Sequence, residues 1–182
     1  MSFQDRYTEA IDMQKRFAID IYKQVWPGCE VLPVDEQETE WSKKLDYSGV
    51  DKIILIDGCT RIDLPQRFRN KNSGSDFTIR CSLPNGKRTE AHKLAKTYKE
   101  HRDHFPKFYA LGVYDGKNKS KGFEDFYIIN LRDLWDKAKE GHVNSERKIA
   151  HGSKEEFAIF EKEELARLDL IHYQWTPKMK VG

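Results

Sequence analysis

The chain opens with a helical repeat of apolar side chains. Apolar residues recur near every 3.6 positions over residues 2–25, which predicts an amphipathic helix. The apolar stripe consists of Phe3, Tyr7, Ala10, Ile11, Ala18, Ile21, Tyr22 and Val25. Gln14 lies on the same stripe, where a buried polar side chain needs a hydrogen-bonding partner. Pro27 and Gly28 end this helix, and an acidic connector follows over residues 30–40.

A strand pattern then replaces the helical one. Short runs rich in β-branched and aromatic residues predict strands over residues 44–47, 50–56, 60–69 and 76–81. Asp57-Gly58 is a hairpin signal between the second and third of these strands. Pro65 has no backbone N–H, so we expect a sheet edge or a bulge there. Both faces of residues 50–56 are largely apolar, so Asp51 at the start of that strand needs a partner or a metal ion.

The second half of the chain alternates between the two patterns. It predicts a helix over 89–101, strands over 108–114 and 122–129, and a short helix capped by Asn130 and Asp133. A loop over 141–152 follows. A capping box at Ser153 then predicts a helix that ends near 168, and the last element is a strand over 171–175. This order predicts a mixed α/β domain in which one central sheet has a helix on each side.

Composition adds limits to this prediction. A chain of 182 residues with 38% hydrophobic and 34% charged residues is long enough for one core, and it contains no run of about 18 apolar residues. Its first residues lack the apolar stretch of a signal peptide. Three widely spaced cysteines without a CxxC pair are typical of a reducing compartment, so we expect a cytoplasmic protein. The formal net charge of +2 does not by itself indicate a nucleic-acid binder.

Charged side chains are concentrated at the strand ends of residues 45–80. By alternation, Ile62, Leu64, Gln66 and Phe68 share one face of the strand over 60–69, and Asp63, Pro65, Arg67 and Arg69 share the other. Carboxylates beside guanidinium groups suit a site that is directed at phosphate. In the simpler alternative, Asp46, Asp51 and Asp63 only form ion pairs with Arg67, Arg69 and Arg80.

The order of these motifs resembles the PD-(D/E)xK (restriction-endonuclease-like) nuclease superfamily, and small phage-type members in particular. A helix, a strand with Gly49-Val50-Asp51, a hairpin, a strand ending in Gln-Arg-Phe-Arg at 66–69, Asp-Phe-Thr-Ile-Arg at 76–80 and a basic helix follow one another. The resemblance covers about residues 2–130. It implies a restriction-endonuclease-like α/β fold for one domain spanning 1–182, with residues 131–182 as a helical and irregular extension.

The resemblance also implies a function and a site. The reaction would be metal-dependent endonuclease hydrolysis of DNA phosphodiester bonds, with Mg²⁺ or Mn²⁺ as cofactor. The implied catalytic residues are Asp51, Gln66, Arg67 and Arg69, and the implied metal ligands are Asp51, Gln66 and Asp63. Glu9 or Asp20 of the first helix is a candidate for a further carboxylate. Nucleic-acid contacts are expected from Arg80, Lys87, Arg88 and Lys93, and DNA is the expected partner. No membrane partner is expected, and a homodimer is an open alternative.

Two other functions stay open. Gln66 stands where the family has an acid, and no lysine follows it two residues later. Arginine keeps its proton, so Arg67 can bind phosphate but cannot act as a base. One alternative is therefore a catalytically degenerate protein of the same fold that binds nucleic acid or a protein partner without cleavage. A third, unrelated alternative is an adaptor that works through the acidic connector and the C-terminal helix.

Overall fold

The computed structural model describes residues 8, 11–34, 50–71, 76–82, 89–149 and 154–177. The helical elements are a π-helix at Gln14–Ala18, α1 at Ile19–Val25, α2 at Glu90–Glu100, α3 at Leu131–Lys139 and α4 at Lys162–Arg167, with short 3-10 helices at Arg102–His104 and Lys119–Lys121. The strands are β1 Glu30–Pro33, β2 Lys52–Ile56, β3 Thr60–Leu64, β4 Gln66–Asn70, β5 Phe77–Ser82, β6 Phe108–Tyr114, β7 Phe123–Asn130, β8 Glu146–Ile149, β9 Glu156–Phe160 and β10 Ile171–Trp175. The fold is mixed α/β.

Across these described ranges the strands form three sheets, so the prediction of one central sheet is wrong. One sheet has the order β1-β2-β3, the second β10-β7-β6-β4 and the third β5-β9-β8. The four-stranded sheet is mixed, because β4 runs parallel to β6 while the other neighbours in it are antiparallel. The first and third sheets are antiparallel.

The strand predicted over residues 60–69 changes sheets at Pro65. Leu64 is paired with Lys52 of β2, whereas Gln66 is paired with Ala110 of β6. The backbone N–H of Ala110 donates to the Pro65 carbonyl at 2.9 Å. Because proline has no N–H, the ladder to β2 loses a donor at this residue. Of the two alternatives expected at Pro65, the sheet edge is found, because β3 and β4 each end the strand order of their sheet and the chain changes sheets between them.

The four-stranded sheet is buried on both faces. On one face, Ala110 and Phe126 belong to a core cluster with the first helix, β2 and β3. On the other face, Leu111 and Tyr127 belong to a cluster with β5, β9, α2, α3 and α4. Every residue of β6 is buried, as expected for a strand that is covered on both sides. The switch at Pro65 therefore lies where two core regions meet.

Several elements agree with the sequence pattern. The hairpin after β2 turns through Asp57 and Gly58, whose φ angles of 52° and 70° are both positive, as the Asp-Gly pair indicates. The side chain of Asn130 accepts the Asp133 N–H at the start of α3, at 3.3 Å. The helix at α2 and the strands at β5, β6, β7 and β10 are also confirmed, whereas the strand predicted over 44–47 lies outside the described ranges.

The C-terminal part differs from its prediction. Residues 141–152 are predicted as a loop but contain β8, and the helix predicted to run from Ser153 to about 168 is replaced by β9 and the short helix α4. β9 pairs with β5 on one side and with β8 on the other, so Ala158 faces both Ile79 and Arg147. This pairing in the folded chain overrides the local capping pattern. Part of the predicted acidic connector likewise forms β1 against β2.

No helix in the described portion of the chain is long and apolar enough to cross a membrane.

Candidate functional site

Asp51 lies at the switch between the sheets, directly before β2. Its carboxylate Oδ2 accepts the backbone N–H of Gln66 at 2.7 Å, across 15 residues of sequence. Its own backbone N–H donates to the Leu64 carbonyl at 3.3 Å. The register of β2 and β3 places Asp51 opposite Pro65. The half-buried carboxylate thus supplies an acceptor where the regular ladder ends.

The side chain of Gln66 is held by two residues of the first helical region. The Tyr22 hydroxyl donates to Gln66 Oε1 at 2.9 Å, and Gln66 Nε2 donates to Gln14 Oε1 at 2.8 Å. We call Gln14, Tyr22 and Gln66 the amide cluster. Gln14 begins the π-helix, a geometry that often occurs at functional sites. The partner that the sequence requires for Gln14 is therefore Gln66.

Tyr22 is a hydrogen-bond donor in this cluster because its phenol stays protonated. Burial raises the pKa of Tyr22 well above its usual value, and the negative charge of Asp51 raises it further. The contribution of Asp51 also shows that its carboxylate lies within electrostatic reach of the amide cluster.

The opposite face of β4 carries an ion pair. Arg67 Nη2 lies 3.1 Å from Glu90 Oε2, and Arg67 Nη1 donates to the Thr78 carbonyl at 3.3 Å and to its hydroxyl at 3.1 Å. Glu90 also accepts a hydrogen bond from the Tyr109 hydroxyl. We call Arg67, Thr78, Glu90 and Tyr109 the charged cluster. The side chains of Arg67 and Glu90 are each 19% exposed, so the pair is largely shielded from water.

Asp51 also acts on the charged cluster. Burial opposes the charge of Arg67, but Glu90, Tyr109 and Asp51 act the other way and the net effect raises its pKa. Burial raises the pKa of Tyr109 well above its usual value, and Glu90 and Asp51 raise it further. The negative charge of Asp51 thus contributes to the pKa of a residue in each cluster, while its hydrogen bond goes to the Gln66 backbone of β4.

Arg69 and Arg80 also make contacts within the protein. Arg69 donates to the Thr78 hydroxyl at 3.3 Å and to the Asp76 carbonyl. Burial lowers the pKa of Arg69. Arg80 lies 3.4 Å from Glu155 and its guanidinium lies over the Phe157 ring at 6.0 Å. These contacts place Arg69 against β5, and Arg80 of β5 against β9.

The remaining predicted residues are not gathered at the switch. Asp63 pairs with Arg61 of its own strand at 2.5 Å, and Asp20 is exposed on α1. Lys93 follows Glu90 by one turn of α2. The other candidates, which are Glu9, Asp46, Lys87 and Arg88, fall in parts of the chain that the structure does not describe.

The switch offers oxygen ligands of the kind that Mg²⁺ and Mn²⁺ use. Asp51 provides a carboxylate, and the amide oxygen of Gln66 has a second lone pair beside the one that accepts from Tyr22. Mg²⁺ needs only one or two carboxylates and completes its coordination with water. Over the ranges described, no three His, Cys, Asp or Glu side chains are arranged to hold a metal. The carboxylate of Asp51 and the amide oxygen of Gln66 are therefore of the chemical type that a hydrated Mg²⁺ ion accepts as ligands.

The sequence pattern identifies Asp51, Gln66 and Arg67 but not the residues that hold them. Tyr22 and Tyr109 belong to apolar patterns, where a tyrosine usually only packs. Glu90 resembles any acid in the first turn of a helix. Thr78 gives only a weak signal in the sequence. It lies two residues before the arginine of the Asp-Phe-Thr-Ile-Arg motif and therefore shares a strand face with it. These four residues come from distant segments, and no spacing in the sequence links them.

Comparison with known proteins identifies no relative. No protein-family model matches the sequence, and no curated protein or solved structure matches the chain. The geometry of the site therefore carries the functional inference.

Proposed function

We propose that the protein is a restriction-endonuclease-like nuclease that hydrolyses phosphodiester bonds of DNA with Mg²⁺ or Mn²⁺ bound at the sheet switch. The contact between Asp51 and Gln66 carries this proposal. They are two of the three residues that the motif pattern assigns to the metal, and the carboxylate of Asp51 accepts the backbone N–H of Gln66 where the chain changes sheets. Polar groups are costly to bury in a largely apolar sheet, so their gathering at one point supports a functional site.

The residues of the switch have distinct roles in this proposal. Asp51 and the amide oxygen of Gln66 would hold the cation, which when bound polarises the phosphate and lowers the pKa of a water. Gln14 and Tyr22 orient the Gln66 amide through hydrogen bonds to both of its ends. Arg67 stays protonated and would offset the negative charge that develops on the phosphate. It cannot accept the proton of the attacking water.

The test is cleavage of supercoiled plasmid and of single-stranded DNA with Mg²⁺ or Mn²⁺, comparing the wild type with Asp51→Asn. Asparagine keeps an oxygen that can accept the Gln66 N–H but removes the charge that binds the cation. We expect the rate to fall about 100-fold, as for loss of a key electrostatic group. Asp115→Asn makes the same chemical change in the turn after β6 and is the matched control. A wild type that is inert with both metals, or an Asp51→Asn variant that cuts at the wild-type rate, refutes the proposal.

A second candidate is a protein of the same fold that binds nucleic acid without cutting it. The specific observation in its favour is that both ends of the Gln66 amide are hydrogen-bonded and that Arg67 is paired with Glu90. Gln66, at the position of the family's second acid, is then a neutral group. Arg67, at the position of its basic residue, is permanently protonated.

This candidate predicts DNA binding that persists in EDTA and weakens steeply with salt. Fluorescence anisotropy with a labelled duplex measures both properties, and the stoichiometry tests the homodimer alternative. We expect Arg80→Gln with Lys93→Gln to weaken binding, whereas Glu100→Gln at the far end of α2 leaves it unchanged or slightly tighter. Absence of binding at low salt contradicts this candidate.

A further inference from the structure

We propose that Glu90 is a positioning residue of this site, which holds the guanidinium of Arg67, the neighbour of Gln66 on β4, in one place so that Arg67 can meet the phosphate of DNA. The inference rests on the proposed function and adds a residue that the motif pattern does not include. Glu90 is 39 residues from Asp51 by number and belongs to a helix, whereas Asp51 and Arg67 belong to the strand hairpin.

The position of the Glu90 carboxylate is determined by three donors. Oε2 accepts from Arg67 Nη2 at 3.1 Å and from the backbone N–H of Arg80 at 3.3 Å. Oε1 accepts from the Tyr109 hydroxyl. The donors come from three strands, β4, β5 and β6, so the carboxylate is attached to a rigid part of the fold.

The helix that carries Glu90 is also tied to β5. Glu90 is the first residue of α2, and Thr89 before it donates from its hydroxyl to the Cys81 carbonyl at 2.7 Å. A carboxylate in the first turn of a helix is further stabilised by the N–H groups at the helix start. The backbone of Glu90 thus has little freedom to move away from Arg67.

The guanidinium of Arg67 is constrained on three sides. Nη2 donates to Glu90, Nη1 donates to Thr78, and the central carbon of the group lies over the Phe157 ring, 5.6 Å from its centroid. A planar group held by two separate nitrogens loses its rotational freedom, which is what a residue that meets a phosphate requires. Without Glu90, the Nη2 side of the group loses this anionic partner.

Glu90 also supplies a countercharge of its own for Arg67. Glu90 Oε2 lies 3.1 Å from Arg67 Nη2 and both side chains are 19% exposed, so the two charges face each other largely shielded from water. Arginine keeps its proton in any case, so the role of Glu90 is to hold the guanidinium in place and not to maintain its charge. Asp51 does not have to serve as the principal partner of Arg67, which is consistent with its proposed role toward a cation.

The test is a double-mutant cycle on steady-state cleavage with Mn²⁺ and saturating DNA, using Glu90→Gln, Arg67→Met and the double variant. We expect Glu90→Gln to lower kcat about 10- to 100-fold, in the range of a group that supports transition-state charge, with the DNA Kd in EDTA unchanged within about twofold. In the Arg67→Met background, Glu90→Gln should cause no further loss. Glu100→Gln makes the same substitution at the other end of α2 and should leave kcat unchanged.

Two cleavage results overturn the inference. An unchanged kcat in Glu90→Gln shows that Arg67 needs no positioning, and multiplicative losses in the double variant show that the two residues act independently. Thermal unfolding checks that each variant is folded. If Glu90→Gln does not fold, Tyr109→Phe removes one donor to the carboxylate and should give a smaller loss of kcat that again vanishes without Arg67.

A second measurement separates this inference from the proposed function. The side-chain N–H resonances of the Arg67 guanidinium should be resolved and slow to exchange in the wild type, and broad and fast in Glu90→Gln. If the wild type cuts no DNA, the proposed nuclease activity fails, while these resonances still show whether Glu90 holds Arg67. Identical Arg67 resonances in both proteins overturn the positioning role.

Discussion

The two faces of β4 bury polar side chains in different ways. On one face, the amide cluster joins Gln14, Tyr22 and Gln66 through neutral hydrogen bonds. On the other, the charged cluster depends on the ion pair of Arg67 and Glu90. A neutral hydrogen bond contributes about 0.5–1.5 kcal/mol, whereas removal of one partner from a buried ion pair costs about 3–5 kcal/mol. The charged cluster should therefore be the more sensitive of the two to single substitutions.

The largest expected effect comes from breaking the charged cluster. Glu90→Leu leaves the Arg67 cation without its carboxylate partner, so we expect the free energy of unfolding to fall by about 2–3 kcal/mol, less than for a fully buried pair. The remaining 19% exposure of both side chains is the reason for the smaller value. Urea denaturation measures this loss.

Urea denaturation of the double variant Glu90→Leu with Arg67→Met separates the effect of losing the ion pair from the effect of losing side-chain packing. The double variant should lose less stability than the sum of the two single variants, since no unpaired charge remains. Additive losses would contradict the view that the two residues form one electrostatic unit.

An intermediate effect, on the affinity for Mn²⁺, is expected when a negative charge is introduced into the amide cluster. Gln66→Glu places a second carboxylate beside Asp51, and ligand charge is a main determinant of affinity at sites of oxygen ligands. We expect about tenfold tighter Mn²⁺ binding, which corresponds to about 1.4 kcal/mol. Calorimetric titration with Mn²⁺ alone measures it, and Glu100→Gln serves as a control for general charge effects. Unchanged affinity would mean that Gln66 does not face the bound ion.

The smallest effect is expected from removing one neutral hydrogen bond. Tyr22→Phe leaves Gln66 Oε1 without its donor, so we expect a loss of about 1 kcal/mol in the free energy of unfolding. Tyr173→Phe in β10 is the matched control for loss of a phenol oxygen. If Tyr22→Phe costs as much as Glu90→Leu, the proposed difference between the two faces of β4 is wrong.

Local chemistry in the sequence accounts for much of the site. Alternation correctly assigns Gln66 and Arg67 to opposite faces, because successive side chains of a strand point in opposite directions. The need of Gln14 for a partner also follows from its place on an apolar stripe. Glu90 was not predictable in this way, because its contact with Arg67 joins segments that share no spacing or motif.

The C-terminal region illustrates the opposite case, in which a local signal is misleading. The capping pattern from Ser153 to Glu156 predicts a helix, yet Glu156 begins β9. Phe157 and Ala158 of β9 pair with both β5 and β8. Two flanking strands and a shared apolar core contribute more to stability than a single helix cap.

The sequence by itself determined the properties that depend on one residue and its neighbours. These are the order of most elements, the two faces of β4 and the loss of a ladder donor at Pro65. Only the tertiary structure decided which sheet the chain joins after Pro65 and which carboxylate meets Arg67. Those choices depend on burying apolar faces and satisfying backbone groups across the whole fold, and both requirements are set by residues far away in the chain.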